Sequence, residues 1–205
     1  MIYEIRTYGV QTGSLAEVEK RYGEAYEHRK KYSELFGFFH TEIGPLNEII
    51  HIWKYESLEE RAKVRAAASK DANWPPKIQE FLTRMSAEIV APFSFVPELK
   101  PGKHGPFYEF RYYEIKAGTA PDLMKRWEPK VPGRIALSPI ALAGLVEFGT
   151  ANRFIHIWPY PSLDARNATR EKARAEGLWP PTGGAGTLIT QATKIVMPSA
   201  FSPLQ

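Results

Sequence analysis

The sequence predicts a mixed α+β fold in which two copies of one small unit close into a single eight-stranded barrel. The segment Asn47–Arg61 returns 105 residues later as Asn152–Arg166, with the same Ile-His-Ile-Trp core. Aligned without gaps at that offset, residues 3–76 and 108–181 agree at 25 of 74 positions, which excludes chance. A repeat of this length is typical of a duplicated domain rather than of a solenoid.

The first copy begins with a strand, a helix and a hairpin. Ile2–Tyr8 alternates β-branched and aromatic residues, which indicates a strand. Ser14 and Glu17 form a capping-box pattern at the start of a long amphipathic helix. Phe38–Ile43 and Glu48–Tyr55 are predicted strands, and the Gly-Pro-Leu-Asn sequence between them predicts a tight turn.

The rest of the copy completes one compact unit. Ser57 is expected to cap a second helix, a further helical stretch is predicted at Lys77–Met85, and Glu88–Phe95 is the last predicted strand. The resulting order, βαββαβ, is that of a ferredoxin-like unit. Such a unit has both helices on one face of a four-stranded sheet, so the other face needs a cover. Two units in one chain can cover each other, which predicts a pseudo-twofold barrel.

The second copy departs from the first in its helical layer. Pro129 and Pro132 should break its first helix. The Gly-rich segment Thr182–Thr187 replaces the predicted Lys77–Met85 helix; it lacks the Lys-Ser/Thr ending of a phosphate loop, so we expect a flexible loop that is a candidate lid. The predicted boundaries are residues 1–98 for the first repeat, 99–106 for a Pro- and Gly-rich linker, and 107–204 for the second repeat.

Composition narrows the classes of function. The chain is 43% hydrophobic and 24% charged, and its net charge of +4 comes without a basic run, so nucleic-acid binding has little support. No apolar stretch approaches the ~20 residues that cross a bilayer. Cysteine is absent, which excludes thiol nucleophiles and cysteine-ligated metals. With a strand predicted from Ile2, we expect no targeting peptide and a cytoplasmic location.

The polar side chains that recur in both copies are the candidates for a site. Alternation separates an aliphatic face with Ile50 and Ile52, expected to meet the helices, from a polar face expected to line the barrel. If the hairpin turns at Pro45-Leu46, His40 lies opposite His51 on this polar face. The candidate ligand-binding residues on it are Arg6, Tyr8, His40, Glu42, Trp53, Tyr55, Arg111, Tyr113, Glu147, Trp158 and Tyr160.

Each candidate has a chemical and a structural interpretation. His51 and His156 are the candidate catalytic residues, as general bases, or else members of a buried hydrogen-bond network. With Glu42 and Glu147 they could bind a metal, and one of them could be a haem ligand, but no short-range histidine pair is present, so no metal and no cofactor are expected. Arg6 and Arg111 could bind an anionic substrate, although pairing with Glu4, Glu42 or Glu88 is favoured because an unpaired buried charge is costly.

At these residues the chain resembles the NIPSNAP family. The resemblance is carried by Tyr3–Tyr8 and by the H-x-W-x-Y-x-S-x-x-x-R pattern at His51–Arg61, and both recur in the second copy. It implies a dimeric α+β barrel made within one chain, in a superfamily that also contains small monooxygenases and haem-handling proteins. It implies no particular reaction. Animal members carry mitochondrial presequences, so a chain without one is expected to be bacterial.

Two classes of function follow from the residues and the resemblance together. The first is a binding or interaction protein with a polar, mainly structural barrel core, a small-molecule or protein partner and a tendency to form homo-oligomers. The second is a small-molecule enzyme of the cofactor-independent monooxygenase or isomerase type, with a histidine base in the barrel. An interior filled by tryptophan and tyrosine side chains would favour the first.

Overall fold

A computed structural model describes residues 1–184 and 186–205. The first half contains, in chain order, β1 (Ile2–Val10), α1 (Leu15–Arg29), β2 (Leu35–Ile43), β3 (Glu48–Tyr55), α2 (Leu58–Ala68) and β4 (Leu82–Pro92). The second half contains β5 (Phe107–Ile115), α3 (Ala120–Trp127), α4 (Val131–Ile135), β6 (Leu142–Phe148), β7 (Arg153–Tyr160), α5 (Leu163–Ala175) and β8 (Leu188–Pro198).

The eight strands form one closed antiparallel barrel in the order β1-β3-β2-β8-β5-β7-β6-β4. This confirms the predicted fold class. Within each half the first strand lies between the third and the fourth, as in a ferredoxin-like unit. The halves join where β2 pairs with β8 and β4 pairs with β6. Closure of the ring therefore requires both halves.

Local sequence explains most of the element boundaries. Ser57 and Ser162 cap α2 and α5, each accepting a hydrogen bond from a backbone N–H three residues on. Asn47 and Asn152 end the two hairpin turns in the left-handed region, with φ of 56° and 53°, a conformation that asparagine tolerates. As predicted, the first helix of the second half is interrupted, and Pro132 lies in the first turn of the short α4.

The predicted helix at Lys77–Met85 is wrong. Only one 3₁₀ turn forms there, at Gln79–Phe81, and β4 starts at Leu82. Residues 82–85 pair with the end of β1, which satisfies their backbone groups better than an isolated short helix would. In the corresponding Gly-rich segment of the second half, Ala185 lies outside the described residues, and its described neighbours lie in bends and turns.

The two sheet faces are the reverse of the expectation. The barrel interior is a single apolar cluster from both halves, which includes Ile50 and Ile52 with Ile155 and Ile157. The face that carries His51 packs against α1 instead. A volume enclosed on all sides excludes water and must be apolar, whereas helices cover a sheet incompletely and leave clefts where charged groups keep some hydration. The expected polar barrel core is therefore absent among the described residues.

The two halves also pack reciprocally outside the barrel. Phe201, near the C-terminus, packs on Tyr22 of α1 and on Phe38, and Phe93 of the first half packs on Trp127 and Phe154 of the second. Each half thus supplies an aromatic side chain to the helical layer of the other.

Charge complementarity connects the halves at one end of the barrel. Glu48 of the first half pairs with Lys194 of the second at 2.6 Å, and Glu88 pairs with Arg153 at 2.8 Å. The strand register makes Glu88 the counterpart of Lys194, and the sequence repeat makes Glu48 the counterpart of Arg153. The first half is therefore acidic where the second is basic.

Candidate functional site

A pocket of about 280 Å³ lies between the outer face of the first half's sheet and its helices. β1 and β3 form its floor, α1 and α2 form two walls, and the Trp74-Pro75-Pro76 segment forms a third. The chain brings these side chains together because alternate residues of paired strands share a face: Arg6 pairs directly with His51, and Glu4 with Trp53. The lining combines guanidinium groups with aromatic rings.

A fully buried carboxylate, that of Glu4, lies behind the pocket at the centre of three arginines. Its Oε1 is 2.7 Å from both Arg6 and Arg61, and 3.6 Å from Arg65. Although burial raises the pKa of Glu4, the hydrogen bonds from Arg61 and Arg6 outweigh this and hold that pKa below its ordinary value. Arg6 also donates to the Tyr8 hydroxyl, at 2.6 Å. The structure therefore pairs Arg6 internally.

Arg29 of α1 is different, because it is buried with only 2% of its surface exposed and forms no ion pair among the described residues. One of its terminal nitrogens donates to the Tyr55 hydroxyl at 3.1 Å, and the other has no hydrogen-bond partner within the same described part of the chain. Its guanidinium lies 4.5 Å from the centre of the Trp53 ring. Burial lowers the pKa of Arg29, but a guanidinium stays protonated at neutral pH. An uncompensated positive charge thus faces the pocket.

The hydrogen bonds of His51 fix its protonation state. The indole N–H of Trp53 donates to Nδ1 at 2.6 Å, so Nδ1 is the acceptor and the ring proton lies on Nε2. Nε2 in turn lies 3.2 Å from the Tyr22 hydroxyl. Burial, and then the charges of Arg6, Arg65 and Arg29, lower the pKa of His51 well below its ordinary value. The imidazole is a neutral hydrogen-bond donor.

The second half repeats this arrangement at the same offset. Glu109 accepts from Arg111 at 2.8 Å and from Arg166 at 2.5 Å, with Arg170 at 3.6 Å. Arg134, 2% exposed, donates to the Tyr160 hydroxyl at 2.8 Å, lies 4.1 Å from the centre of the Trp158 ring, and forms no ion pair within the described residues.

The second pocket differs from the first in shape. It consists of a charged cavity of about 240 Å³ and an adjoining apolar cavity of about 80 Å³. Both are lined by Tyr113, His156, Trp179 and Pro180. Trp127 stands where the first half has Tyr22, and the apolar cavity extends to Gly184 and Thr187 of the Gly-rich segment.

Ten of the thirteen predicted site residues line these two pockets: Arg6, Tyr8, His51, Trp53, Tyr55, Arg111, Tyr113, His156, Trp158 and Tyr160. The other three do not. The hairpin register places His40 opposite Ile49 rather than His51, and His40 contacts Glu19 at 2.8 Å. Glu42 and Glu147 lie beyond the paired part of their hairpins and are exposed. Within the described residues, no group of three potential metal ligands is found.

Two pairs of pocket residues are absent from the sequence-based set. Helical spacing treats Arg29 as one position of an amphipathic helix and says nothing of Arg134, although an arginine repeated in both copies on an otherwise apolar helix face signals a specific contact. Trp74 and Trp179 stand before proline pairs and read only as helix-ending signals. Repetition at the 105-residue offset, the criterion that selects His51, identifies both pairs.

Comparison with known proteins gives one consistent family match. The sequence model described as NIPSNAP matches residues 3–97 and 108–203. The human protein NipSnap homolog 3A is 27% identical over 214 residues, covering 100% of this chain and 86% of the relative. A Dictyostelium discoideum NipSnap homolog is 40% identical over 73 residues, which are 36% of this chain and 33% of that protein.

Among solved structures, a Lactobacillus acidophilus protein described as a candidate monooxygenase superposes with a TM-score of 0.73. The alignment covers 97% of this chain and 94% of that one at 12% identity, so it shows the shared fold alone. In the described part of the chain, no helix has both the length and the apolarity needed to cross a membrane.

Proposed function

This chain belongs to the NIPSNAP family, and we propose that it acts as a binding protein for small anionic molecules with an apolar body. The ligand would occupy the two pockets between sheet and helices, one in each half, rather than the barrel interior. This keeps the binding role expected from the sequence and moves it to the opposite face of the sheet.

The observation that carries this proposal is the burial of Arg29 and Arg134 without a carboxylate. Each pocket region holds four guanidinium groups around one carboxylate: Arg6, Arg29, Arg61 and Arg65 around Glu4, and their counterparts around Glu109. Taking an unpaired charge out of water costs several kcal/mol. A bound anion would offset that cost, because a guanidinium can hold a carboxylate or sulfonate through two parallel hydrogen bonds.

The walls of the pockets indicate the rest of the ligand. In the first pocket Trp53 and Trp74 meet edge to face, 5.9 Å apart, and Ile78, Leu82 and Met85 complete an apolar side. A volume of about 280 Å³ is small for a ligand site, which favours a molecule with one or two rings. An aromatic carboxylate or sulfonate fits both the charge and the walls.

The alternative, an enzyme with a histidine base, is disfavoured by the hydrogen bonds of the two imidazoles. A base needs a free nitrogen lone pair within reach of substrate. In both histidines the lone pair on Nδ1 accepts the indole N–H of the tryptophan two residues on, at 2.6 Å. Protonation is further opposed by burial and by the surrounding arginines, which lower the pKa of both groups.

Tryptophan fluorescence offers a direct test, because all five tryptophans line the two pockets. Titration with benzenesulfonate should change the emission in a saturable way, while the neutral analogue benzyl alcohol should bind about tenfold more weakly or worse, as for the loss of a hydrogen bond to a charged group. Arg29→Met should remove binding to the first pocket and Arg134→Met binding to the second. If the sulfonate and the alcohol bind equally, or if the double variant binds as well as the wild type, anion recognition is refuted.

Self-association and a cytoplasmic location belong to the same proposal. Residues 82–88 of β4 pair with β1 on one side, and their pairing with β6 starts only at Ile89, which leaves an edge near the exposed side chain of Met85. Such an edge can pair with a second copy of the chain. Analytical ultracentrifugation of the purified protein, with Ser86→Pro as the edge-blocking variant, tests this; a wild-type monomer at all concentrations contradicts it.

A further inference from the structure

The two pockets differ by one hydrogen-bond partner. In the first half the Tyr22 hydroxyl lies 3.2 Å from Nε2 of His51 and occupies that nitrogen. In the second half the same helical position holds Trp127, whose ring centre is 4.9 Å from that of His156. Nε2 of His156 is buried and has no hydrogen-bond partner among the described residues.

The unpartnered nitrogen carries a proton. The indole N–H of Trp158 donates to Nδ1 of His156 at 2.6 Å, so the imidazole proton is on Nε2. The indole of Trp127 provides no acceptor oxygen, unlike the tyrosine of the first half. A buried donor left without an acceptor destabilises the protein, and a ligand atom that accepts from it would remove that penalty.

His156 lies where the two cavities of the second pocket meet. It lines the charged cavity together with Arg111, Arg134 and Arg170, and it lines the apolar cavity together with Trp127. A ligand whose anionic group faces the arginines therefore passes the imidazole on its way into the apolar cavity.

Resting on the anion-binding function above, we propose that the second pocket selects an anion with one more acceptor oxygen than the first pocket requires. Arg134 and Arg111 hold the charge, and His156 reads the additional oxygen through its Nε2 proton. The Tyr22/Trp127 exchange is the specificity determinant, because it decides whether that proton is already used within the protein.

Benzoate and benzenesulfonate test the proposal, since both are monoanions on a phenyl ring and differ in having two or three oxygens. Isothermal titration of Arg29→Met reports the second pocket, and titration of Arg134→Met reports the first. We expect the ratio of benzenesulfonate to benzoate affinity to be about tenfold higher in the second pocket, as for one added hydrogen bond to a charged group. The Nε2 proton of His156 should shift downfield on binding benzenesulfonate and little on binding benzoate.

Two reciprocal substitutions provide the matched controls. Trp127→Tyr restores the hydroxyl of the first half and should lower the ratio in the second pocket about tenfold, because one hydrogen bond is then used within the protein. Tyr22→Phe removes the hydroxyl from the first half and should raise the ratio there; if Trp127→Tyr does not fold, Tyr22→Phe decides alone. Equal ratios in both pockets overturn the selectivity and leave anion binding intact, whereas no binding of either probe overturns both.

Discussion

Arg29→Met should stabilise the empty protein, although the substitution removes a buried charged group that forms a hydrogen bond. Methionine retains the aliphatic stem against Trp53. It gives up the hydrogen bond to Tyr55, about 1.5–3 kcal/mol for a charged donor, and a cation–π contact of about 0.5–2 kcal/mol. It also removes the desolvation penalty of an unpaired guanidinium, which is several kcal/mol. We expect a net gain of about 1–3 kcal/mol in the free energy of unfolding.

Arg6→Met is the matched control, because Arg6 lies in the same pocket but is paired. Its removal takes one hydrogen bond from the buried Glu4 carboxylate, which keeps Arg61. Breaking a buried pair costs about 3–5 kcal/mol, and the remaining arginine places this case near the lower end. The two substitutions, identical in chemistry, should therefore change stability in opposite directions.

Urea denaturation of both variants without ligand, followed by tryptophan fluorescence, measures these effects. A loss of more than about 2 kcal/mol in Arg29→Met would show that its hydrogen bond and ring contact exceed the cost of burial, and would refute the argument that the site awaits an anion. A gain in Arg29→Met together with a loss in Arg6→Met supports it. Added benzenesulfonate should stabilise the wild type through both pockets and Arg29→Met through its second pocket alone.

The remaining predictions concern protonation and the dependence of each half on the other. His51 and His156 should stay neutral, with the proton on Nε2, from about pH 8 to about pH 5 in nitrogen-detected NMR; a midpoint near the ordinary value of about 6.5 in either would contradict the assigned tautomer. Because their folded-state pKa values are depressed, the unfolded chain takes up protons first, so stability should fall below about pH 6.5 by up to about 1.4 kcal/mol per pH unit for each group. Calorimetry should show one unfolding transition for the whole chain. Residues 1–98 alone should neither fold nor homodimerise, since a symmetric barrel would place Glu48 and Glu88 of two copies together without Lys194; a folded fragment in gel filtration and circular dichroism contradicts this.

Much of the fold could be predicted from the sequence because duplication doubles every signal. Two copies with the same turns, caps and alternation specify eight strands and their order, and an uncovered sheet face in each copy requires the other. The segment Lys77–Met85 failed for a tertiary reason, since pairing with β1 overrode a weak helical pattern.

The sequence alone also determined most of the residues that form the site, through their repetition at a fixed offset, but not where the site lies. Alternation divides a strand into two faces without stating which face is enclosed, and only closure of the ring decides that the Ile50 and Ile52 face is sealed from water. The His51 face then lies under helices that leave a cleft, where Arg29 reaches over from α1. A contact between a helix and a strand, such as that of Arg29 with Tyr55, depends on how the layers pack, and periodicity carries no information about it.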